Sequence, residues 1–127
     1  AFKKDGLLII TFDEGGISVT VNPTTHAIGF SGDASSCCDE QPGPNSANGA
    51  VFGTPSQGPG IIGPGGCLTG EVLISRFIKP GTVSTVPYNH YAQLKSIEDN
   101  FGLPLLGYAA QPDLQGWGGD VFTNPGG

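Results

Sequence analysis

Basic residues are scarce in this sequence, and they are not clustered. Its 127 residues include 5 Lys and Arg against 11 Asp and Glu, a formal net charge of −6 at pH 7. Only Lys3 and Lys4 are adjacent, while the other basic residues stand apart along the chain. Because proteins bind a nucleic-acid backbone through clustered positive charge, this composition excludes a nucleic-acid partner.

Long hydrophobic runs are also missing. The longest, Leu7 to Ile10 with Phe12 beyond, is far too short to cross a bilayer, so no transmembrane segment is predicted. The first residues show no signal-peptide pattern. They open on Ala1 to Gly6, which is typical of the end of a helix and its glycine stop. We therefore expect the chain to begin inside a larger polypeptide.

Cysteine occurs only 3 times, an odd number, and no CxxC spacing or histidine partner indicates a zinc site. We expect Cys67 to form a disulfide with Cys37 or Cys38, which would close a loop of roughly 30 residues and stabilise the fold by a few kcal/mol. A bond between Cys37 and Cys38 is the alternative. A long-range bridge favours a secreted or extracytoplasmic setting.

Turn-forming residues, in contrast, are abundant, with 22 Gly and 11 Pro. They are unfavourable inside helices and strands, so we expect long loops around a few regular elements. The hydrophobic fraction of 37% is low, but a chain of this length has room for one domain with one core. Residues 24–66 are predicted to be a loop-rich insertion and residues 105–127 an irregular C-terminal tail.

Three strands are predicted from the hydrophobic pattern. Residues 7–12 form an uninterrupted apolar run, which is typical of a strand buried on both faces. Residues 17–21 alternate between apolar and polar side chains, which predicts a strand with one solvated face. Residues 71–75 resume this strand character before the turn at Pro80 and Gly81.

A helix is predicted to begin at His90, with Asn89 as its N-cap and Gly102 as its C-terminal stop. The residues expected on its apolar face are Tyr91, Leu94, Ile97 and Phe101. Glu98 and Asp99 are expected on its solvated face.

Two adjacent carboxylates, Asp13 and Glu14, follow the first predicted strand and precede two glycines. Ligands of α/β proteins bind beyond the carboxyl ends of strands, and carboxylate oxygens suit a hard divalent cation. The pair is therefore a candidate metal site, and the alternative is a solvated acidic turn.

Two histidines are the other titratable candidates. His90 either seals the start of the helix or faces a phosphoryl ligand there, whereas His26 is expected to be exposed in a loop. No GxSxG, HExxH or P-loop pattern occurs.

Three stretches of the sequence resemble one known family. The stretch LLIITFDEGG, residues 7–16, is similar to the metal-binding strand of the bacterial phosphoesterase family that includes non-specific phospholipases C and acid phosphatases. The run from Val72 to Ala109, which contains Tyr-Asn-His-Tyr at residues 88–91, is similar to that family almost throughout. The segment CCDEQPGPN, residues 37–45, resembles a Cys-Cys loop of some secreted members.

The resemblance implies an α/β fold, a partial alkaline-phosphatase-like arrangement of sheet and helices with long Gly/Pro-rich loops. It also implies a divalent metal ion at the C-terminal edge of the sheet, bound in part by Asp13 and Glu14. His90 would have a supporting catalytic role, positioning groups in the site. The metal would activate the nucleophile and neutralise charge on the phosphoryl oxygens. In many members a histidine follows the acid pair, whereas Gly15 stands there in this sequence.

The family's nucleophilic Ser or Thr and its early Glu-Asn metal ligands precede the metal-binding strand. We therefore expect residues 1–127 to be a single partial domain, the C-terminal portion of a larger phosphoesterase domain. The expected function is that of a secreted metal-dependent enzyme acting on phosphomonoesters or phospholipid head groups. Its expected partners are the phosphate-ester substrate and the upstream half of the polypeptide, or copies of itself. The alternative is a non-catalytic, self-assembling extracellular protein derived from this family, because an exposed strand tends to pair with another.

Overall fold

The computed structural model describes residues 2–32, 37–38 and 68–126. The chain divides into two compact units, a first unit of Ala1–Thr11 with Glu71–Gly127 and a second unit of Phe12–Gly70. In chain order the elements are α1 (Phe2–Asp5), β1 (Leu7–Thr11), β2 (Ile17–Val21), β3 (Ile28–Gly32), β4 (Glu71–Ser75), α2 (His90–Phe101) and a 3₁₀ helix (Gly107–Ala110). The described residues thus form a mixed α and β structure with two small sheets.

The sheet of the first unit consists of β1 and β4, which pair antiparallel. Leu7 lies opposite Ser75, and Thr11 lies opposite Glu71. The hydroxyl of Ser75 also donates a hydrogen bond of 2.9 Å to the carbonyl oxygen of Gly6. This bond extends the pairing beyond the start of β1, towards α1. Both strands were predicted from the sequence and are confirmed.

The prediction that β1 is buried on both faces is wrong. Leu8 and Ile10 are 45% and 49% exposed, and their cross-strand partners Ile74 and Val72 are 46% and 54% exposed. Because directly opposite residues share a face, these four side chains form one exposed apolar surface, here called the open face. An apolar run shows that a strand can be covered on both sides, but other elements decide whether it is.

The second unit contains a hairpin of β2 and β3, with Val21 opposite Ile28. The side-chain oxygen of Asn22 accepts hydrogen bonds from the backbone N–H groups of Thr24 and Thr25, at 2.9 and 3.0 Å, and so shapes the turn. His26 lies in this turn with a φ of 56° and is exposed, as predicted. β3 was not predicted, because its two glycines interrupt an already short alternation.

Much of the predicted loop-rich insertion, residues 24–66, lies outside the described residues, as does Cys67. Cys37 and Cys38 are described, and both are half-buried. The pairing of the three cysteines therefore stays a prediction.

Helix α2 begins and ends where the sequence predicts. The side chain of Asn89 accepts a hydrogen bond of 2.9 Å from the N–H of Ala92 at its start. At its end, Gly102 has a φ of 62°, and its N–H donates to the carbonyl of Asp99 while the N–H of Leu103 donates to that of Glu98. These two bonds form a Schellman motif, which needs a left-handed residue at the Gly102 position.

The predicted apolar face of α2 is found in part, since Tyr91, Leu94 and Ile97 are half-buried. Phe101, expected on the apolar face, is 70% exposed, whereas Ala92 is fully buried. Glu98, expected in solvent, is only 3% exposed, and its carboxyl accepts a hydrogen bond of 3.3 Å from the N–H of Leu106. The chain after the helix folds back onto this face, so a polar partner at Leu106 makes burial of an acid tolerable. Asp99 is exposed, as predicted.

The irregular tail supplies most of the buried apolar residues described. Ala109 is fully buried, and Leu114 and Val121 are 6% and 7% exposed. The tail is also hydrogen-bonded to the segment after β4, where the N–H of Asn124 donates to the carbonyl of Phe77 at 2.9 Å. The tail therefore contributes buried side chains to the first unit, although Leu106 near its start is 63% exposed. Scattered apolar residues without a period give no signal of burial in a sequence.

Candidate functional site

The two candidate metal ligands lie between β1 and β2. Asp13 is exposed and Glu14 is half-buried. Their carboxylate oxygens are the donors that a hard divalent cation prefers, so the pair fits such an ion chemically. The described residues contain no group of three or more His, Cys, Asp or Glu side chains that could hold a metal ion. A hard divalent cation takes about six oxygen ligands or more, so two carboxylates by themselves would fill only part of such a shell.

His90 is the first residue of α2, and its side chain is exposed. It belongs to the first unit, whereas Asp13 and Glu14 belong to the second. The preceding residue, Asn89, uses its side-chain oxygen to cap the helix, and its amide nitrogen Nδ2 is buried without a hydrogen-bond partner in the described structure. The start of α2 therefore combines an imidazole with backbone N–H groups and the positive end of the helix dipole, which together favour an anion.

Glu71 is a titratable residue near His90 that the sequence analysis did not single out. It is the first residue of β4 and lies opposite Thr11, the last residue of β1. Partial burial raises the pKa of the Glu71 carboxyl, and its electrostatic interaction with His90 opposes part of that rise. The sequence shows only that Glu71 is an acid at the start of a predicted strand. The fold brings it near the imidazole of His90, which lies 19 residues later in the chain.

A cluster of three polar side chains connects the segment just before α2 with the tail, and no sequence pattern indicated it. The phenol of Tyr88 donates to the two carboxylate oxygens of Asp120, at 2.9 and 3.0 Å. The hydroxyl of Ser84 donates to the same carboxylate and accepts a hydrogen bond of 3.1 Å from the N–H of Val86. These contacts join the segment leading into α2 to the tail and form what is here called the Asp120 cluster, made of Ser84, Tyr88 and Asp120.

The ionisation of the Asp120 cluster follows from these hydrogen bonds. The bond from Ser84, with a further contribution from Tyr88, holds the pKa of the Asp120 carboxyl below its ordinary value, against an opposing effect of partial burial. Burial, together with the hydrogen bond to Asp120 and its negative charge, raises the pKa of Tyr88 to about 12. At neutral pH the cluster is thus an ionised carboxylate held by a neutral phenol and a hydroxyl.

No helix among the described residues has the length and hydropathy needed to cross a membrane. A family model described as "Phosphoesterase family" matches residues 1–104. The matched stretch contains Asp13, Glu14, Glu71 and His90, whereas Asp120 lies beyond it. No curated protein and no solved structure matched the chain.

Proposed function

Because the chain belongs to the phosphoesterase family, we propose that it is part of a metal-dependent enzyme that hydrolyses phosphomonoesters or phospholipid head groups. The family match over residues 1–104 is the observation that carries the proposal. The match covers both the strand that leads to the acid pair and the helix that begins at His90. We further propose that the complete enzyme has an alkaline-phosphatase-like fold.

In the proposed reaction, Asp13 and Glu14 provide carboxylate ligands for a divalent metal ion. When bound, such an ion lowers the pKa of an attacking hydroxyl and stabilises negative charge on the phosphoryl oxygens. The nucleophilic hydroxyl and the remaining metal ligands would come from a segment upstream of β1, because members of the phosphoesterase family carry them there.

The proposed role of His90 is to position a phosphoryl group. Its place at the N-terminus of α2 supports this role, because an exposed imidazole there is joined by backbone N–H groups that favour anions. Glu71, which interacts with His90 electrostatically, would help to orient the ring.

The proposed setting is extracytoplasmic. The predicted bridge from Cys67 to Cys37 or Cys38 supports it, because structural disulfides persist in oxidising compartments.

We expect the full-length polypeptide that contains residues 1–127 to hydrolyse p-nitrophenyl phosphate in a metal-dependent way. Removing the metal with a chelator should lower the rate by about 100-fold or more, since both the nucleophile and the transition-state charge lose their stabilisation. Addition of a divalent cation after dialysis should restore it, and comparing Mg²⁺, Mn²⁺, Ca²⁺ and Zn²⁺ identifies the metal. Activity that survives complete chelation would contradict the proposal.

A second candidate function is non-catalytic self-association, and the open face is the observation that favours it. Its four residues are paired across β1 and β4 and are each about half exposed. A contiguous apolar patch on a sheet is typical of a surface that a partner covers. A second copy of the chain is the partner that this candidate function requires.

This second function predicts concentration-dependent association that a charge on the open face weakens. In sedimentation velocity, Ile10→Lys should shift the protein towards the monomer by at least about tenfold in dissociation constant, because it places a charge in the apolar contact. Val83→Lys is the matched control, since Val83 is 83% exposed and lies outside the open face. A protein that is monomeric at every concentration would exclude this function.

A further inference from the structure

The Asp120 cluster joins two parts of the first unit that carry no regular structure. Ser84 and Tyr88 lie in the segment between β4 and α2, and Asp120 lies in the tail. Neither segment is held by a strand pairing, so the position of one on the other depends on individual hydrogen bonds, such as the backbone bond from Asn124 to Phe77 and the side-chain bonds of the cluster. The carboxylate of Asp120 accepts the hydroxyl proton of Ser84 and that of Tyr88, and the single phenol proton is shared between its two oxygens.

The chemistry of the cluster indicates a structural task and not a catalytic one. The single proton of the Ser84 hydroxyl is donated to Asp120, and the oxygen accepts the N–H of Val86. A nucleophilic serine would instead need a base able to take that proton. Asp120 is a poor base, because the hydrogen bonds it accepts lower its pKa.

What the cluster holds in place is the start of α2. Tyr88 is followed directly by Asn89, which caps the helix, and then by His90, its first residue. The cap fixes His90 relative to its own helix, through the 2.9 Å bond from the N–H of Ala92 to Asn89. The bond from Tyr88 to Asp120 fixes the residues just before His90 relative to the tail.

The tail that carries Asp120 is itself attached to α2. The N–H of Trp117 donates a hydrogen bond of 2.7 Å to the hydroxyl of Ser96, in the middle of the helix. At Gly116 a Cβ atom would lie 3.0 Å from the same hydroxyl, so the backbone of the tail approaches the helix closely. The tail therefore contacts α2 at Ser96, in the middle of the helix, and contacts Tyr88, two residues before His90.

We propose that Asp120 is a positioning residue for His90, acting through Tyr88 and Ser84. The inference rests on the proposed function in so far as His90 takes part in the reaction. It adds a residue that lies beyond the matched stretch of residues 1–104. Asp120 does not touch the substrate. It sets the place and direction from which the imidazole at the start of α2 faces the phosphoryl group.

The test compares Asp120→Asn with Asp113→Asn in the full-length polypeptide. Both remove one negative charge from the tail, but Asp113 is exposed and lies outside the cluster. Asp120→Asn should lower kcat by about 10- to 100-fold, since a small misplacement of an assisting group costs that much. KM should change by less than about threefold, because binding groups outside the cluster stay in place. Asp113→Asn should leave both constants unchanged.

A double-substitution cycle with His90→Ala separates positioning from a general loss of structure. If Asp120 acts through His90, adding Asp120→Asn to His90→Ala should lower kcat little further. Fully additive losses, or a normal kcat in Asp120→Asn, would overturn the proposal. Tyr88→Phe removes a single hydroxyl and should reduce kcat in the same direction, which keeps the test available if Asp120→Asn fails to fold.

A readout that needs no activity distinguishes failure of this inference from failure of the proposed function. In NMR spectra of the imidazole nitrogens, the signals lost in His90→Gln identify His90. They should shift or broaden in Asp120→Asn, whereas those of His26, in the second unit, should not. If His90→Ala leaves kcat unchanged, the role of His90 in the proposed function is wrong. The NMR comparison then still tests the positioning by Asp120. Signals of His90 that do not move in Asp120→Asn would refute this positioning, and shifted signals would support it.

Discussion

Replacing Asp13 by Ala in the full-length polypeptide should lower kcat for an aryl phosphate by about 100- to 1,000-fold, because one carboxylate ligand of the proposed metal is lost. The bound metal measured by elemental analysis should fall in parallel. Glu14→Ala should have an effect of the same kind, since the two acids are adjacent and both precede the hairpin of β2 and β3. Activity is measured at saturating substrate, with and without added divalent cation.

The matched control is Asp113→Ala, which removes an exposed carboxylate from the tail. It should leave both activity and metal content unchanged. Partial recovery of Asp13→Ala at high metal concentration would agree with a weakened site. Full activity of Asp13→Ala with unchanged metal content would show that the acid pair is only a solvated turn, and the metal assignment would then be wrong.

The second large effect concerns the tail. Leu114→Ala should destabilise the protein by about 2–5 kcal/mol, because it removes a side chain that is only 6% exposed and leaves a cavity. The free energy of unfolding from urea titrations measures this change, and a lower thermal midpoint should accompany it. An effect of this size is large against the total stability of a small domain.

Leu106→Ala is the matched control for Leu114→Ala, because it makes the same chemical change at a side chain that is 63% exposed. Its expected cost is within about 0.5 kcal/mol, since the backbone bond from the N–H of Leu106 to Glu98 is kept. Equal effects of the two substitutions would mean that the tail does not pack as described. The difference between them is therefore the decisive measurement.

Several elements were predictable because their signals are local. Helix α2 has a side-chain cap at Asn89 and a glycine stop at Gly102, and both act on backbone groups within four residues. The strands β1, β2 and β4 were readable from short runs of apolar or alternating residues. Asp13 and Glu14 were found as candidates because they follow β1 directly in the chain.

The sequence by itself thus determined where these strands and the helix begin and end, and its resemblance and family match determined the phosphoesterase class. Only the tertiary structure decided that Glu98 is buried, that Asp120 holds Tyr88, and that the open face of β1 and β4 is exposed. The physical reason is the range of the interactions. Caps and strand patterns depend on neighbouring residues, whereas burial and side-chain partners depend on segments that lie up to 72 residues apart, as the bond from Arg76 to the carbonyl oxygen of Lys4 shows.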